Sequence, residues 1–421
     1  MKVVLVGDLR TIHNYGAIAT STALIALLEK IMDINLEVID GRRFWDITLE
    51  MEGADGTENC SKNDLLKMPC WNKKKFLHVF KRKVKPNKTT MLLNKGIPCR
   101  YEDFAIFAEG IVLNKYLSYE YSILKDADII IFNSEGCIVS GTDERGMYRR
   151  SGLYILFMEY FAKVYLHKPC HIINHTVDPH NRDIQNMIQE IYPKMDSIYV
   201  RENMSLALLE KWGIKNVKKV PDALFSYHYK KNRADVKKVL GEIDIRKPYI
   251  CLGDSSGIVN RYGKVKWDIE KTYDQIIYGL KKICPQIVFV DGYDGTCQAI
   301  NNVIKRNHLP SVNLSNCSHE QLYSVLAGSE IFISGRWHAS IIALLGKTPI
   351  LLWGADSHKT EALYGEIDYP FKFFDIASLP IHIDSLCEET KKILRADLSN
   401  VWKQVDKYRE EAIANLQFLV Q

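Results

Sequence analysis

An arginine and a histidine two residues apart, Arg336 and His338, stand where one kind of periodicity gives way to another. Before them runs Ile331-Phe332-Ile333, short and β-branched enough for a buried strand, broken by Ser334-Gly335. After them an apolar helical run covers 339–345 and stops at Gly346, and Pro349 opens a second strand-like run at 350–353. Strand, polar elbow, helix and strand make a βαβ unit, whose ligand lies beyond the carboxyl end of the strand and faces the helix N-terminus. Unpaired N–H groups and a positive partial charge suit that end to an anion. Arg336 adds a fork of donors shaped for carboxylate or phosphate, and His338 a group that exchanges a proton near neutral pH.

Other candidates fall at strand ends. Asn133-Ser134-Glu135-Gly136 closes an apolar run at 129–132, and Glu135, beside a glycine that permits close approach, reads as a functional carboxylate or as a cap on the next helix. Arg201 and Asp222 lie in loops after short strands, and His175 and Asp178 read as structural. Asn14-Tyr15-Gly16 follows a first strand at 3–6, either as turn chemistry or as a ligand-facing loop. The loop from Gly7 to Gly16, which also holds Asp8, Arg10 and His13, lacks the dinucleotide G-x-G-x-x-G spacing. Asp126-Ala127-Asp128 looks like the D-x-D of metal-dependent sugar transferases but precedes its strand, the wrong end for a site, so no metal is expected. Gly346-Lys347-Thr348 is no P-loop, because Ile341 stands where the leading glycine must be.

These residues need a scaffold, and the chain has room for one. With 421 residues it is too long for one ordinary core, so two domains are expected. Strands and helices alternate in both halves, which implies an α/β protein of two Rossmann-like domains facing each other across a cleft. The polar, Lys-rich stretch 227–244 sets the boundary: an N-terminal domain over 1–230, a C-terminal domain over 231–385 and a helical tail over 386–421. A net charge of +5 is too mild to argue for nucleic acid but suits an anionic substrate or membrane surface. Ten cysteines without a C-x-x-C pair read as reduced core residues of a cytoplasmic protein. The N-terminus enters a strand at once, with no signal peptide, and no apolar run is long enough to span a bilayer. The segment 73–88, with eight Lys or Arg and no acidic residue, is either a basic amphipathic helix on the inner face of an anionic membrane or a solvated helix packed on its domain.

Taken together and in order, three stretches resemble the polysaccharide pyruvyl transferase family. Ser334-Gly335-Arg336-Trp337-His338 with Gly346, Pro349 and Lys359 looks like its S-x-R-L-H…G-x-P…K signature. Val200-Arg201 through Ser205, Leu209, Gly213 and Val220-Pro221-Asp222-Ala223 is similar to its V-R-[DE]-x-x-S…L…G…V-x-D-P segment, and Asn14-Tyr15-Gly16-Ala17 to its N-x-G start. The likeness covers roughly residues 5–365. Trp337 replaces the usual leucine, a change expected to affect packing only. Ala223 replaces a proline, and Glu135 stands in a turn that is often Gly-Gly.

The resemblance implies a GT-B-like fold, phosphoenolpyruvate as donor with no separate cofactor, and a sugar of a cell-surface glycan or a lipid-linked saccharide as acceptor. The product is then a pyruvate ketal. In that reading Arg336 pairs with a donor anion, His338 protonates the methylene carbon, and Glu135, across the cleft, takes the proton of the attacking hydroxyl. Lys359 and Arg201 add phosphate contacts, and Asn14, Gly16 and Asp222 are acceptor or loop candidates. The alternative is a GT-B glycosyltransferase with a nucleotide-sugar donor, in which Arg336 and Lys359 hold the diphosphate and Glu361 the ribose. The oligomeric state is not legible.

Overall fold

The computed structural model describes residues 1–11, 14–31, 33–41, 100–114, 117–139, 150–241, 243–244, 246–258, 265–291, 297–313 and 316–420. The basic run 73–88 and His13 lie outside them. The chain divides into two compact units, Met1–Thr11 with Leu28–Val220, and Ile12–Leu27 with Pro221–Gln421.

The first unit begins with strand β1 (Lys2–Asp8); helix α1 (Tyr15–Leu28) comes after it in sequence, then β2 (Asn35–Asp40). Next come α2 (Phe104–Asn114), α3 (Ser118–Leu124), β3 (Ile129–Asn133) and the short β4 (Ile138–Val139). Helix α4 (Arg150–Tyr160) continues as a π-turn at Phe161–Tyr165, before β5 (Cys170–His175), β6 (Val177–Asp178) and α5 (Arg182–Ile191). Strand β7 (Ser197–Val200), α6 (Asn203–Lys211) and β8 (Val217–Lys219) complete the unit. Its main sheet is parallel throughout, in the order β2-β1-β3-β5-β7-β8. Helices cover both faces of such a sheet, so its central strands read as unbroken apolar runs: Val3 to Val6 and Ile130 to Phe132 are fully buried. The order reverses between β1 and β3, and there the Asn133 amide donates to the Gly7 carbonyl at 3.0 Å.

The second unit runs α7 (Arg233–Leu240), β9 (Tyr249–Ser255), α8 (Ile269–Lys281), β10 (Gln286–Val290), α9 (Gln298–Arg306), β11 (Ser311–Val312) and α10 (His319–Leu326). It continues with β12 (Ile331–Gly335), α11 (Trp337–Leu345), β13 (Ile350–Leu352), α12 (Lys359–Glu366), α13 (Ile383–Arg395) and α14 (Ser399–Glu411). Its sheet is also parallel, ordered β11-β10-β9-β12-β13, with the reversal between β9 and β12. Local chemistry sets the helix starts: Ser318 and Gln321 form a reciprocal capping box on α10, and the Asp268 carboxylate caps α8.

Two features depart from the sequence reading. The boundary between units falls at Val220/Pro221 rather than at 230/231, and α1 counts with the second unit. That helix is apolar on nearly every side, so it needs burial all round; Tyr15 and Ala19 join the same core as Leu344, Leu352 and Tyr408. The helical tail is likewise part of that unit, since Val401, Val405, Tyr408 and Ala412 sit in its core. The second aspartate of the D-x-D has a structural use: Asp128 accepts the Lys2 backbone N–H at 2.7 Å.

Candidate functional site

At the reversal point of the second sheet, Asp254 is the penultimate residue of β9 and β12 leads into Arg336. The Arg336 guanidinium meets the Asp254 carboxylate side-on through Nε and Nη2. Gly335 permits this closeness, because a side chain there would strike Ser255 and Trp353. The Ser334 hydroxyl ties the same corner to the Asp254 carbonyl at 2.9 Å. Arg336 is therefore held by a buried carboxylate, a partner the sequence reading does not assign.

His338 lies in the first turn of α11. Its Nε2 stands 3.4 Å from Asp222 Oδ2. Asp222 is buried and caps the short 3-10 turn Ala223–Ser226, its Oδ1 accepting the Leu224 N–H at 2.9 Å. Its Oδ2 also accepts the Trp337 indole N–H at 2.9 Å. Trp337 thus does more than pack, contrary to expectation: it donates to the carboxylate that faces the histidine. On the other side of the imidazole is Gly16, where any side chain would overlap Nδ1 and Cγ of His338. Asn14 accepts the Gly16 and Ala17 N–H groups at 2.8 and 3.3 Å, so it caps α1. The turn chemistry is present in this loop. Asn14 makes the turn, and Gly16 clears space for the histidine.

Lys359 opens α12, its Nζ 2.9 Å from Asp356 Oδ1. That carboxylate also accepts the Ser256 hydroxyl at 2.9 Å. The hydroxyls of Ser357 and Thr360, at the same helix start, are buried and make no hydrogen bond within the described residues. Arg336, His338, Lys359, Asp222, Asn14 and Gly16 accordingly all belong to the second unit.

Glu135 and Arg201 belong to the first unit. Glu135 has a left-handed backbone at φ +37°, a conformation that favours glycine. The chain passes from it into a turn and β4, not a helix, so the capping alternative fails. Its carbonyl accepts the Thr176 N–H at 2.7 Å and His175 Nδ1 at 3.0 Å. Since a carbonyl only accepts, Nδ1 carries the hydrogen, and Nε2 accepts the Tyr192 hydroxyl at 2.8 Å. Burial pushes the His175 pKa down to about 3, so the ring is neutral. Arg201 is buried as well, its Nε donating to the Thr176 hydroxyl at 2.8 Å, which in turn donates to Glu202 at 3.2 Å. Beneath this turn the Ser134 hydroxyl donates to Glu159 at 2.8 Å. Complete burial raises the Glu159 pKa to about 8, partly offset by that hydrogen bond.

Sequence reasoning misses Asp254, Asp356, Trp337 and Glu159 as polar partners. Asp254 carries a usable signal in its position after a strand, whereas Glu159 lies inside an apolar helix with nothing to mark it. Among the described residues no group of His, Cys, Asp and Glu is arranged to hold a metal ion. Nor is any helix there long and apolar enough to cross a membrane.

Comparison with solved structures confirms the architecture. UDP-GlcNAc 2-epimerase from Methanocaldococcus jannaschii superposes with a TM-score of 0.58 at 12% identity, over 100% of this chain and 99% of the other. The enzyme of the same name from Neisseria meningitidis, bound to UDP-GlcNAc, gives 0.54 at 13% identity over 100% of both chains. At such identities the likeness shows the fold alone, which is GT-B. The amylovoran biosynthesis protein AmsJ of Erwinia amylovora is 22% identical over 233 residues, 50% of this chain and 55% of that protein. The chain thus spans about half the length of this curated relative. The family model for polysaccharide pyruvyl transferase matches residues 14–352, a span that starts at Asn14 and takes in Gly16, Asp222, Arg336 and His338. The residues gathered round the imidazole are thus inside the matched span, and the chain belongs to the polysaccharide pyruvyl transferase family.

Proposed function

We propose that this transferase moves pyruvate from phosphoenolpyruvate onto two hydroxyls of one sugar in a cell-surface polysaccharide or its precursor, as a ketal. The observation that carries this reading is the histidine: His338 stands two residues from Arg336 beyond a strand end, with Asp222 on one ring nitrogen and Gly16 against the other. An enol phosphate becomes electrophilic when its methylene carbon gains a proton, and a positioned acid contributes on the order of 10²- to 10⁴-fold. His338 is that acid.

Atoms and charges balance through three steps. The proton makes the methylene a methyl group and leaves a cationic centre at the neighbouring carbon. One sugar hydroxyl adds there and gives up its proton, for which Glu135 is the proposed base. The second hydroxyl replaces phosphate, which leaves with the remaining proton. Phosphoenolpyruvate and a diol become a ketal and inorganic phosphate. Arg336 and Lys359 hold the donor's anionic groups, and Arg201 is a further proposed phosphate contact. The buried Ser357 and Thr360 hydroxyls, lacking protein partners among the described residues, support an anion at the start of α12.

The test is thermal stabilisation of the full chain by phosphoenolpyruvate and, in parallel, by a panel of nucleotide sugars, repeated on Arg336→Ala. A ligand that binds only the folded protein raises its stability by mass action. Stabilisation by phosphoenolpyruvate, lost in the variant, is expected. Stabilisation by a nucleotide sugar with none by phosphoenolpyruvate would replace this reading with glycosyl transfer.

A further inference from the structure

Trp337 and His338 are consecutive residues on a helix, so their side chains leave it about 100° apart and do not ordinarily share a partner. Here they do. The Trp337 indole N–H reaches Asp222 Oδ2 at 2.9 Å, and His338 Nε2 approaches that same oxygen only to 3.4 Å. The neutral donor has the short contact and the ionisable one the long contact. The arrangement is rigid. Trp337 is almost fully buried, and the Leu224 N–H holds the other carboxylate oxygen at 2.9 Å.

We propose that Trp337 is a positioning residue that limits how tightly Asp222 grips the His338 imidazolium, and so keeps His338 a ready proton donor. An indole N–H on the carboxylate oxygen satisfies part of its charge and keeps the imidazole at arm's length. Without the indole N–H, Oδ2 loses one donor, and its charge acts more strongly on the imidazole beside it. Several charged groups on the elements packed against α11 have partners of their own, while Glu361 on α12 and Lys403 and Glu410 on α14 are further charged side chains there. Glu320 on α10 pairs with His319, and Glu366 on α12 accepts the Tyr408 hydroxyl of α14. Arg336 is held by Asp254, Lys359 by Asp356, and Lys347 lies 3.4 Å from Asp406 of α14. On α1, Gly16 meets the ring and brings no charge.

The inference rests on His338 acting as the acid, but its first test does not. The experiment follows the His338 Cε1–H resonance of the full chain by NMR from pH 5 to 10, in the native protein, Trp337→Phe and Asp222→Asn. Trp337→Phe is expected to raise the titration midpoint by about one pH unit, the size of effect a single charge-assisted contact has on a neighbour. Asp222→Asn is expected to lower it. An unchanged midpoint in a folded Trp337→Phe protein would overturn the proposal and leave Trp337 a packing residue. Should that variant fail to fold, Asp222→Asn decides against the proposal if its midpoint does not fall. In turnover of phosphoenolpyruvate, the alkaline limb of the pH profile moves upward with the midpoint while the maximal rate drops several-fold. A midpoint that moves in a protein without pyruvyl transfer would sink the proposed reaction and leave this inference standing.

Discussion

The two units carry polar groups at the carboxyl ends of two similar parallel sheets, and they treat charge in opposite ways. In the second unit each of the three candidate cations meets a carboxylate. Arg336, His338 and Lys359 are 11, 13 and 16% exposed, while Asp254, Asp222 and Asp356 opposite them are 1, 0 and 6% exposed. The carboxylates are the floor and the cations the rim. At two buried groups of the first unit burial removes charge instead: Glu159 takes up a proton and His175 loses one. What remains is a hydrogen-bonded frame around the left-handed turn at Glu135. A group that must meet an anion has to stay charged and reachable, whereas a frame gains from being neutral and dry.

The contrast can be broken most forcefully at Arg336. Arg336→Ala strands the Asp254 carboxylate in the interior, an expected loss of about 3–5 kcal/mol in denaturant unfolding. Pyruvyl transfer in a coupled phosphate-release assay should fall by roughly 10²-fold or more. Asp254→Asn, which leaves no buried carboxylate behind, should cost clearly less stability.

The first unit answers to pH. The Glu159 pKa rises on folding from 4.5 to about 8, so its stabilising share is complete below pH 4.5 and is lost as pH climbs through about 8. Glu159→Gln does not titrate. Its stability relative to the native protein should therefore increase between pH 4.5 and 8, by a few kcal/mol in all, as read by urea unfolding across that range. His175 runs the other way. Its pKa falls from 6.5 to about 3, so its contribution is present above pH 6.5 and disappears as pH drops towards 3. A stability difference flat with pH in Glu159→Gln would remove the contrast between units.

Smaller effects sharpen it. Gly16→Ala places a methyl group on the His338 ring, which must shift. We expect about 1–3 kcal/mol of destabilisation and a roughly 10²-fold slower reaction, because small displacements of a reacting group are costly. Least of all, Asp128→Ala should remove only the hydrogen bond to the Lys2 N–H, about 0.5–1.5 kcal/mol, with turnover unaffected by EDTA before and after.

The legible parts of this protein are those written in local pattern. The β-branched runs at 129–132 and 331–333 are strands because both sheet faces are covered, and each ends where polar residues begin, so Glu135 and Arg336 could be placed at strand ends from the chain alone. Asn14, Gly16, Asp222 and His338 are each visible as candidates in the sequence; that all four belong to one constellation around the imidazole is not. The expected boundary missed by ten residues: it rests on the polar, Lys-rich stretch 227–244, whereas Leu224 and Phe225 ahead of it already sit in the core of the second unit.

Sequence by itself determined the alternation of strands and helices, the family and the residue types that handle anions and protons, because these arise from local periodicity and short spacing. Tertiary structure alone decided the partners. Arg336 finds Asp254 across 82 positions and Trp337 finds Asp222 across 115. A helix apolar on nearly every side, such as α1, carries no mark of which core it will join. The charge state of Glu159 was equally beyond the chain's own text, because desolvation depends on the atoms that fold around a carboxyl and not on its neighbours along the chain.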